Sequence, residues 1–217
     1  MASTQLAQDP YNIIITGVGG QGNVMASRVL ANMLVKRGYY VTIGETFGAS
    51  QRGGSVMSHL RVSARSSWSP QIPRGRVDVV IALEPTEGIR VLKDYGNPQV
   101  TILSNTRAIR PVSVIAGEQD YPSMEEIRSS AQELASSAWF IDATDEAVKL
   151  GNPILGNIIM LGALSGLGVL PLEKEDFKEA ILKSVPQDKL DVNLKAYDIG
   201  RQMIKEKEDS IPGKDNS

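Results

Sequence analysis

Cysteine is absent from the 217 residues of this sequence, and His59 is the single histidine. Without thiolates the chain offers no disulfide, no cysteine nucleophile and no cysteine ligand for zinc or an iron–sulfur cluster. The chain also lacks an excess of either charge, because its 23 Lys and Arg residues nearly balance its 25 Asp and Glu residues. Such a balance gives no basic footprint for nucleic acid. Any redox centre that works with this chain is therefore expected on another polypeptide.

Targeting and membrane signals are also scarce. The first ten residues, MASTQLAQDP, lack the basic start and apolar core of a signal peptide, which predicts a cytoplasmic protein. The apolar stretch 154–172 is short and broken by glycines and Pro171, which favours a buried helix over a membrane span. Gly162 and Gly166 within it would let another backbone approach closely. That approach is either internal packing or a subunit interface, which leaves a homo-oligomer of the isolated chain open.

Apolar strands alternate with helical patterns along most of the chain. Strands are predicted at 12–16, 40–44, 55–63, 77–83, 99–103 and 139–142, with a short extended piece at 112–115. Helices are predicted at 21–37, 86–95 and 123–136, in a short segment that follows the last strand and ends at Gly151, and at 173–184 and 189–207. The alternation predicts an α/β fold, a Rossmann-like three-layer α/β/α sandwich with a mostly parallel sheet. We expect one domain over 1–207, helical from about residue 152, and a disordered tail over 208–217.

A glycine-rich turn joins the first predicted strand to the first predicted helix. Gly17, Gly19 and Gly22 have the spacing of a dinucleotide-binding turn. The backbone N–H groups of this turn are predicted to hold phosphate at the helix N-terminus, and they belong to Gly19, Gly20, Gln21, Gly22 and Asn23. Glu45, which ends the second predicted strand, stands where an acid accepts from the ribose of NAD. Alternatively, the glycines serve only to make a tight turn.

A second glycine-rich loop, FGASQRGGS, follows the second predicted strand. It supplies a guanidinium, hydroxyls and an amide on a backbone that can approach a ligand closely. Its candidate binding residues are Ser50, Gln51, Arg52, Gly53, Gly54 and Ser55. Arg52 suits a diphosphate or a carboxylate, whereas the alternative is a solvated arginine on a surface turn. Because a dehydrogenase needs no such loop at this place, the pair of loops points away from NAD.

The remaining polar candidates indicate no catalytic group. His59 lies within a predicted strand without an acid or a nucleophile as partner, so we expect it to be structural. Glu84 and Asn105 end predicted strands, where they either meet a ligand or cap the next element. The acids from Asp142 to Glu146 are typical of a helix start rather than a metal site. We therefore assign no catalytic residue and no metal ligand.

The two loops together resemble those of a known family: the gamma subunit, or gamma domain, of 2-oxoacid:ferredoxin oxidoreductases. The closest likeness is to the small subunit of the indolepyruvate type. The sequences GVGGQGN from Gly17 and ETFGASQRGGSV from Glu45 carry the resemblance, supported by ALEP from Ala82 and NIIMLGAL from Asn157. The matching residues run from about 12 to 172.

The resemblance implies a role within a multisubunit enzyme. Such enzymes convert a 2-oxoacid and coenzyme A to acyl-CoA and carbon dioxide, and they pass two electrons to ferredoxin. Thiamine diphosphate, Mg²⁺ and the iron–sulfur clusters are then expected on partner subunits, and ferredoxin is reached through those partners. This chain would be inactive alone. It would complete the complex and hold the coenzyme A diphosphate on the turn amides, with Arg52 and Ser50 or Ser55 as side-chain partners.

Two alternatives stay open at this point. One is a stand-alone NAD-dependent dehydrogenase, which the glycine spacing alone allows. The other is an assembly scaffold that binds no ligand, in which residues such as Gln21 and Arg52 contact the thiamine-binding subunit instead. The sequence does not specify the 2-oxoacid, although the likeness to the indolepyruvate type implies an aryl pyruvate.

Overall fold

A computed structural model describes residues 6–48 and 54–210. These residues form six strands: β1 Tyr11–Val18, β2 Tyr40–Phe47, β3 Ser55–Ser63, β4 Val79–Ala82, β5 Thr101–Asn105 and β6 Ser137–Ile141. The helices are α1 Asn23–Lys36, α2 Pro85–Tyr95, α3 Val112–Ile115, α4 Met124–Leu134, α5 Ala143–Lys149, α6 Gly156–Gly166, α7 Lys174–Leu182 and α8 Leu190–Asp209. The predicted tail residues 211–217 lie outside the described residues, and α8 extends two residues past its predicted end.

One mixed sheet organises the chain, with the strand order β2-β3-β1-β4-β5-β6. Strands β1, β4, β5 and β6 are parallel, while β3 runs antiparallel to both of its neighbours. Ile13 and Ile15 of β1 point into the core formed with α1, α6, α7 and α8, and Ile14 points into the core formed with α2 and α4. This alternation produces three layers, which confirms the predicted α/β/α sandwich.

The segment Val112–Ile115 was predicted to be extended, and that prediction is wrong. Its β-branched residues favour strands, but no described strand lies beside them to supply hydrogen bonds. Instead, the carbonyl of Pro111 accepts from the N–H groups of Val114 and Ile115, both at 3.1 Å. Pro111, whose fixed φ suits a helix start, thereby begins the single turn α3.

Three glycines let α6 and α8 cross in direct backbone contact. A Cβ atom on Gly162 would lie 2.0 Å from the carbonyl oxygen of Tyr197, and one on Gly200 would lie 1.9 Å from that of Ile159. A Cβ on Gly166 would meet Ile204 at 3.1 Å. The small residues of α6 therefore serve internal packing rather than a subunit interface. Among residues 6–48 and 54–210, no helix combines the length and the apolar character needed to cross a membrane.

His59 is a buried structural residue of β3. Its Nδ1 atom accepts from the N–H of Ile72 at 3.2 Å, and its ring meets the edge of Tyr95 with 5.2 Å between centroids. Burial lowers the pKa of the imidazole, because the cation would lose its hydration. The fold thus requires the neutral ring, in which Nδ1 carries no proton and can accept from the N–H of Ile72.

We expect the free energy of unfolding to fall as the pH decreases below about 6.5, the ordinary pKa of histidine. In that range the unfolded chain takes up a proton that buried His59 does not accept, so the slope reaches at most about 1.4 kcal/mol per pH unit. Urea denaturation across this range measures the effect, and His59→Gln should flatten the profile. An equally steep profile in the variant would assign the loss to other groups.

Candidate functional site

A cleft of about 940 Å³ opens beyond the carboxyl ends of β1, β4 and β5. Open α/β sheets bind ligands at this edge, where neighbouring connections diverge to opposite faces of the sheet. The glycine turn, the segment after β5, α5 and the start of α6 form its walls. Its lining includes Gly20, Gln21, Asn105, Arg107, Lys149 and Asn157. The structure therefore brings the first glycine-rich loop to the wall of a concave site.

The glycines of the first loop are required by its backbone and its neighbours. Gly20 has φ +100° and Gly22 has φ +80°, values that residues with a side chain rarely adopt. A Cβ atom on Gly22 would lie 2.2 Å from Nδ2 of Asn157, and one on Gly17 would lie 2.5 Å from Oε1 of Gln21. The turn is thus tight by necessity, and its third glycine admits the start of α6.

The polar side chains of the turn bind their own backbone. Gln21 accepts from the N–H of Val18 at 2.8 Å and donates to the carbonyl of Leu83 at 2.8 Å. Asn23 donates through Nδ2 to the carbonyl of Val18 at 3.1 Å. Gln21 therefore ties the glycine turn to the end of β4, and neither amide side chain is directed by these bonds towards a ligand.

Three backbone N–H groups of the turn have no acceptor within the described part of the chain: those of Gly20, Gly22 and Asn23. The N–H of Gly19 differs from the sequence expectation, because it donates to the carbonyl of Gly54 at 2.9 Å. The open groups lie at the N-terminus of the 14-residue helix α1. Unpaired N–H groups and the helix dipole both favour an anion at this place.

The second loop begins and ends beside the first. Gly48 donates to the carbonyl of Ser55 at 2.7 Å, and Gly54 accepts the N–H of Gly19. The side chain of Ser55 donates to Oε2 of Glu87 in α2 at 2.6 Å, so its hydroxyl is engaged away from the turn. The predicted binding residues Ser50, Gln51, Arg52 and Gly53 lie outside the described residues.

Glu45 lies away from the glycine turn. Within the sheet it pairs with Ser58 of β3, and Ser58 in turn pairs with Ile15 of β1. Two strand spacings, about 10 Å in total, therefore separate Glu45 from β1. Since Glu45 does not line the cleft, the ribose-binding position of a dehydrogenase is not reproduced here.

The sequence patterns did not identify two cations of the cleft wall, Arg107 and Lys149. Arg107 is exposed and has no hydrogen bond or ion pair among the described residues. Lys149 is held by Glu146, with 2.5 Å between Nζ and Oε1, and this bond raises the pKa of the lysine. Arg107 was detectable in principle, because it follows Asn105 by two residues at the ligand-binding edge of a parallel strand.

The outer part of the cleft is apolar. Ile109, Val148 and Ile154 all line it, and each leaves at least a third of its surface exposed. Exposed apolar side chains beside free N–H groups and a cation suit a ligand that combines an anion with an apolar portion.

Glu84 is a buried carboxylate, only 1% exposed, that joins two elements. Its Oε2 accepts from the hydroxyl of Thr86 at 2.7 Å and the N–H of Glu87 at 3.0 Å, and so caps α2. Its Oε1 accepts from the hydroxyl of Tyr121 and from the N–H of Ile109 at 3.3 Å. Burial and the bond to Glu84 raise the pKa of Tyr121 above its ordinary value. Glu84 thereby fixes the wall of the cleft that follows β5.

Asn105 has a similar structural role at the end of β5. It donates through Nδ2 to the carbonyl of Leu83 at 3.1 Å and to the hydroxyl of Thr144 at 2.9 Å. Asp142 precedes α5, as its position predicts. Among the residues that the structure describes, no group of three or more acids or histidines is placed to hold a metal ion.

Residues 12–203 match the pyruvate ferredoxin/flavodoxin oxidoreductase family. The chain belongs to this family. It is 40% identical to the indolepyruvate oxidoreductase subunit IorB of Pyrococcus horikoshii, over 90% of this chain and 96% of that subunit. The predicted family and the likeness to the indolepyruvate type are thus confirmed.

Solved structures support the fold. The pyruvate oxidoreductase subunit PORC of Thermotoga maritima aligns with a TM-score of 0.68 at 24% identity, over 90% of this chain and 97% of that chain. The 2-oxoglutarate:ferredoxin oxidoreductase of Magnetococcus marinus, solved with 2-oxoglutarate, coenzyme A and succinyl-CoA, aligns with a TM-score of 0.70 at 22% identity. That alignment covers 92% of this chain but 32% of the other, so the fold recurs there as part of a longer polypeptide.

Proposed function

We propose that this chain is the small subunit of an indolepyruvate-type 2-oxoacid:ferredoxin oxidoreductase, and that its cleft holds the diphosphate of coenzyme A. The complex converts a 2-oxoacid, coenzyme A and two oxidised ferredoxins to acyl-CoA, carbon dioxide, a proton and two reduced ferredoxins. The observation that carries the coenzyme A site is the cleft at the glycine turn, which Gly20 and Arg107 both line; neither the N–H of Gly20 nor the guanidinium of Arg107 has a partner among the described residues.

The composition of the chain supports this division of labour. Because it contains no cysteine, the iron–sulfur clusters are bound by partner subunits, which also bind thiamine diphosphate with Mg²⁺ and deliver electrons to ferredoxin. An aryl pyruvate is the substrate class, and its side chain is recognised beside the thiamine ring on a partner. We place the complex in the cytoplasm, where reduced ferredoxin is used.

The cleft matches coenzyme A in size and chemistry. We place the diphosphate at the turn so that the N–H groups of Gly20, Gly22 and Asn23 donate to it, and Gly20 is the one of the three that lines the cleft. The guanidinium of Arg107 balances its charge. We assign Arg52 of the second loop as a further partner, since that loop is anchored beside the turn. The apolar wall then packs against the uncharged parts of coenzyme A. A volume of about 940 Å³ lies near the upper end of ligand sites.

Titration of coenzyme A into the assembled complex tests the site. We expect Arg107→Ala and Arg52→Ala each to weaken binding about tenfold, the loss typical of one charge-assisted hydrogen bond. Arg28→Ala, which removes an exposed arginine of α1 outside the cleft, is the matched control and should leave the affinity unchanged. Wild-type affinity in both cleft variants, or NADH binding in competition with coenzyme A, would contradict the assignment.

A further inference from the structure

The segment after β5 carries a compact group of exposed apolar and basic side chains. Val112 is 80% exposed and Ile115 74%, the two highest values among the exposed large apolar residues of the described chain. They lie three positions apart on α3, so they share one face. Arg107 and Arg110, both exposed, precede them. We call Arg107, Arg110, Val112 and Ile115 the α3 surface.

The α3 surface is held in place by the body of the domain. Glu84 accepts the N–H of Ile109 and the hydroxyl of Tyr121, which brackets α3 on both sides along the chain. At the start of the segment, Thr106 donates its N–H to the carbonyl of Ile141 at 3.0 Å. A surface that is ordered before binding loses little conformational entropy when a partner covers it.

The relatives of this chain are named as parts of larger enzymes, which makes a partner polypeptide available to cover this surface. In Magnetococcus marinus the same fold makes up 32% of one chain, so the remaining two thirds belong to the same polypeptide. The 40% identical relative of Pyrococcus horikoshii is itself named as a subunit, and a chain that works as a subunit needs a contact area for its partner. Exposed apolar side chains flanked by arginines are typical of the centre and rim of a protein interface.

We infer that the α3 surface docks this chain onto the companion subunit that holds the thiamine and iron–sulfur chemistry. The companion presents an apolar pocket for Val112 and Ile115, and carboxylates on its rim face Arg110. Arg107 also lines the cleft, so the docked companion lies at the edge of the coenzyme A site. The identity of the companion rests on the proposed function.

Association of the two co-expressed subunits, measured without coenzyme A, tests the docking surface. The double variant Val112→Asp/Ile115→Asp should weaken the affinity at least about 100-fold, because it places two carboxylates in an apolar contact. Val35→Asp/Leu182→Asp changes two apolar residues that are also exposed, on α1 and α7, and should bind like the wild type. Arg110→Glu should slow association most strongly at low salt.

Further measurements distinguish a loss of docking from a loss of the fold, and the companion subunit from a second copy of this chain. Thermal unfolding of each isolated variant checks that the fold is kept, and Val112→Ser/Ile115→Ser provides a milder change that should also weaken association. A wild-type pair that associates while the Asp double variant binds equally well would overturn the docking surface alone. A wild-type chain that fails to bind the companion would overturn the proposed function with it. A homodimer dissolved by the same substitutions would assign the surface to a second copy and reject the companion.

Discussion

Gly162→Ala is expected to lower the free energy of unfolding by about 3 kcal/mol, at the upper end of the penalty for overpacking a core. The added Cβ would lie 2.0 Å from the carbonyl oxygen of Tyr197, a backbone atom that no side-chain rotation can move away. Relief therefore requires α6 and α8 to separate, which loosens the contact around Tyr197 and its stacked neighbour Phe177.

The matched control lies in the same helix. A Cβ on Gly156 would approach its neighbours no closer than 3.6 Å, which is ordinary contact, and its φ of −55° suits alanine. Gly156→Ala should therefore be neutral or stabilise by up to about 1 kcal/mol through helix propensity. Urea denaturation of both variants measures the difference. Equal stability of the two would show that the helices do not approach as closely as the structure indicates.

Glu84→Ala is expected to lower the free energy of unfolding by about 3 kcal/mol, because it leaves one buried and three part-buried donors without their acceptor. Thr86, Glu87, Ile109 and Tyr121 all donate to this one carboxylate. The same change should weaken coenzyme A binding and association with the companion, since the wall of the cleft and α3 lose their common attachment.

Glu126→Ala provides the comparison for a simple helix cap. Glu126 is exposed and completes a capping box, accepting the N–H of Ser123 at 2.7 Å, so its loss should lower the free energy of unfolding clearly less than the loss of Glu84. Tyr121→Phe removes one of the four donors and should fall between the two. A Glu84→Ala variant no less stable than Glu126→Ala would contradict the structural role given to the buried carboxylate.

Local patterns predicted most elements of the fold, since each depends on nearby residues. The strand over Ser55–Ser63 has the predicted bounds, and Ser123 with Glu126 forms the predicted capping box. Strand order is a different matter, because it depends on contacts between distant segments. The pattern at residues 40–63 predicts two strands but does not say that β3 turns back to lie between β2 and β1, which is what separates Glu45 from the glycine turn.

The candidate site was predictable to the same limited extent. The spacing of Gly17, Gly19 and Gly22 located the turn. Gln21, however, donates to the carbonyl of Leu83, and the N–H of Gly19 donates to Gly54, and both acceptors are distant in sequence. Arg107 was missed although it follows the end of a predicted strand by two residues, because a strand end alone does not show which side chains enter the cleft. It reaches the cleft only through the placement of β5 beside β4.

The hydrogen bond from Gly19 to Gly54 connects the two glycine-rich loops, so a change in the position of one affects the other. A ligand that orders the first loop also holds Gly54, where the second loop ends. A polypeptide that binds the second loop holds Gly19 of the first loop in the same way. By thermodynamic reciprocity, each event then favours the other by the same factor. Under the proposed function, coenzyme A binding and subunit assembly would then be coupled through this one hydrogen bond.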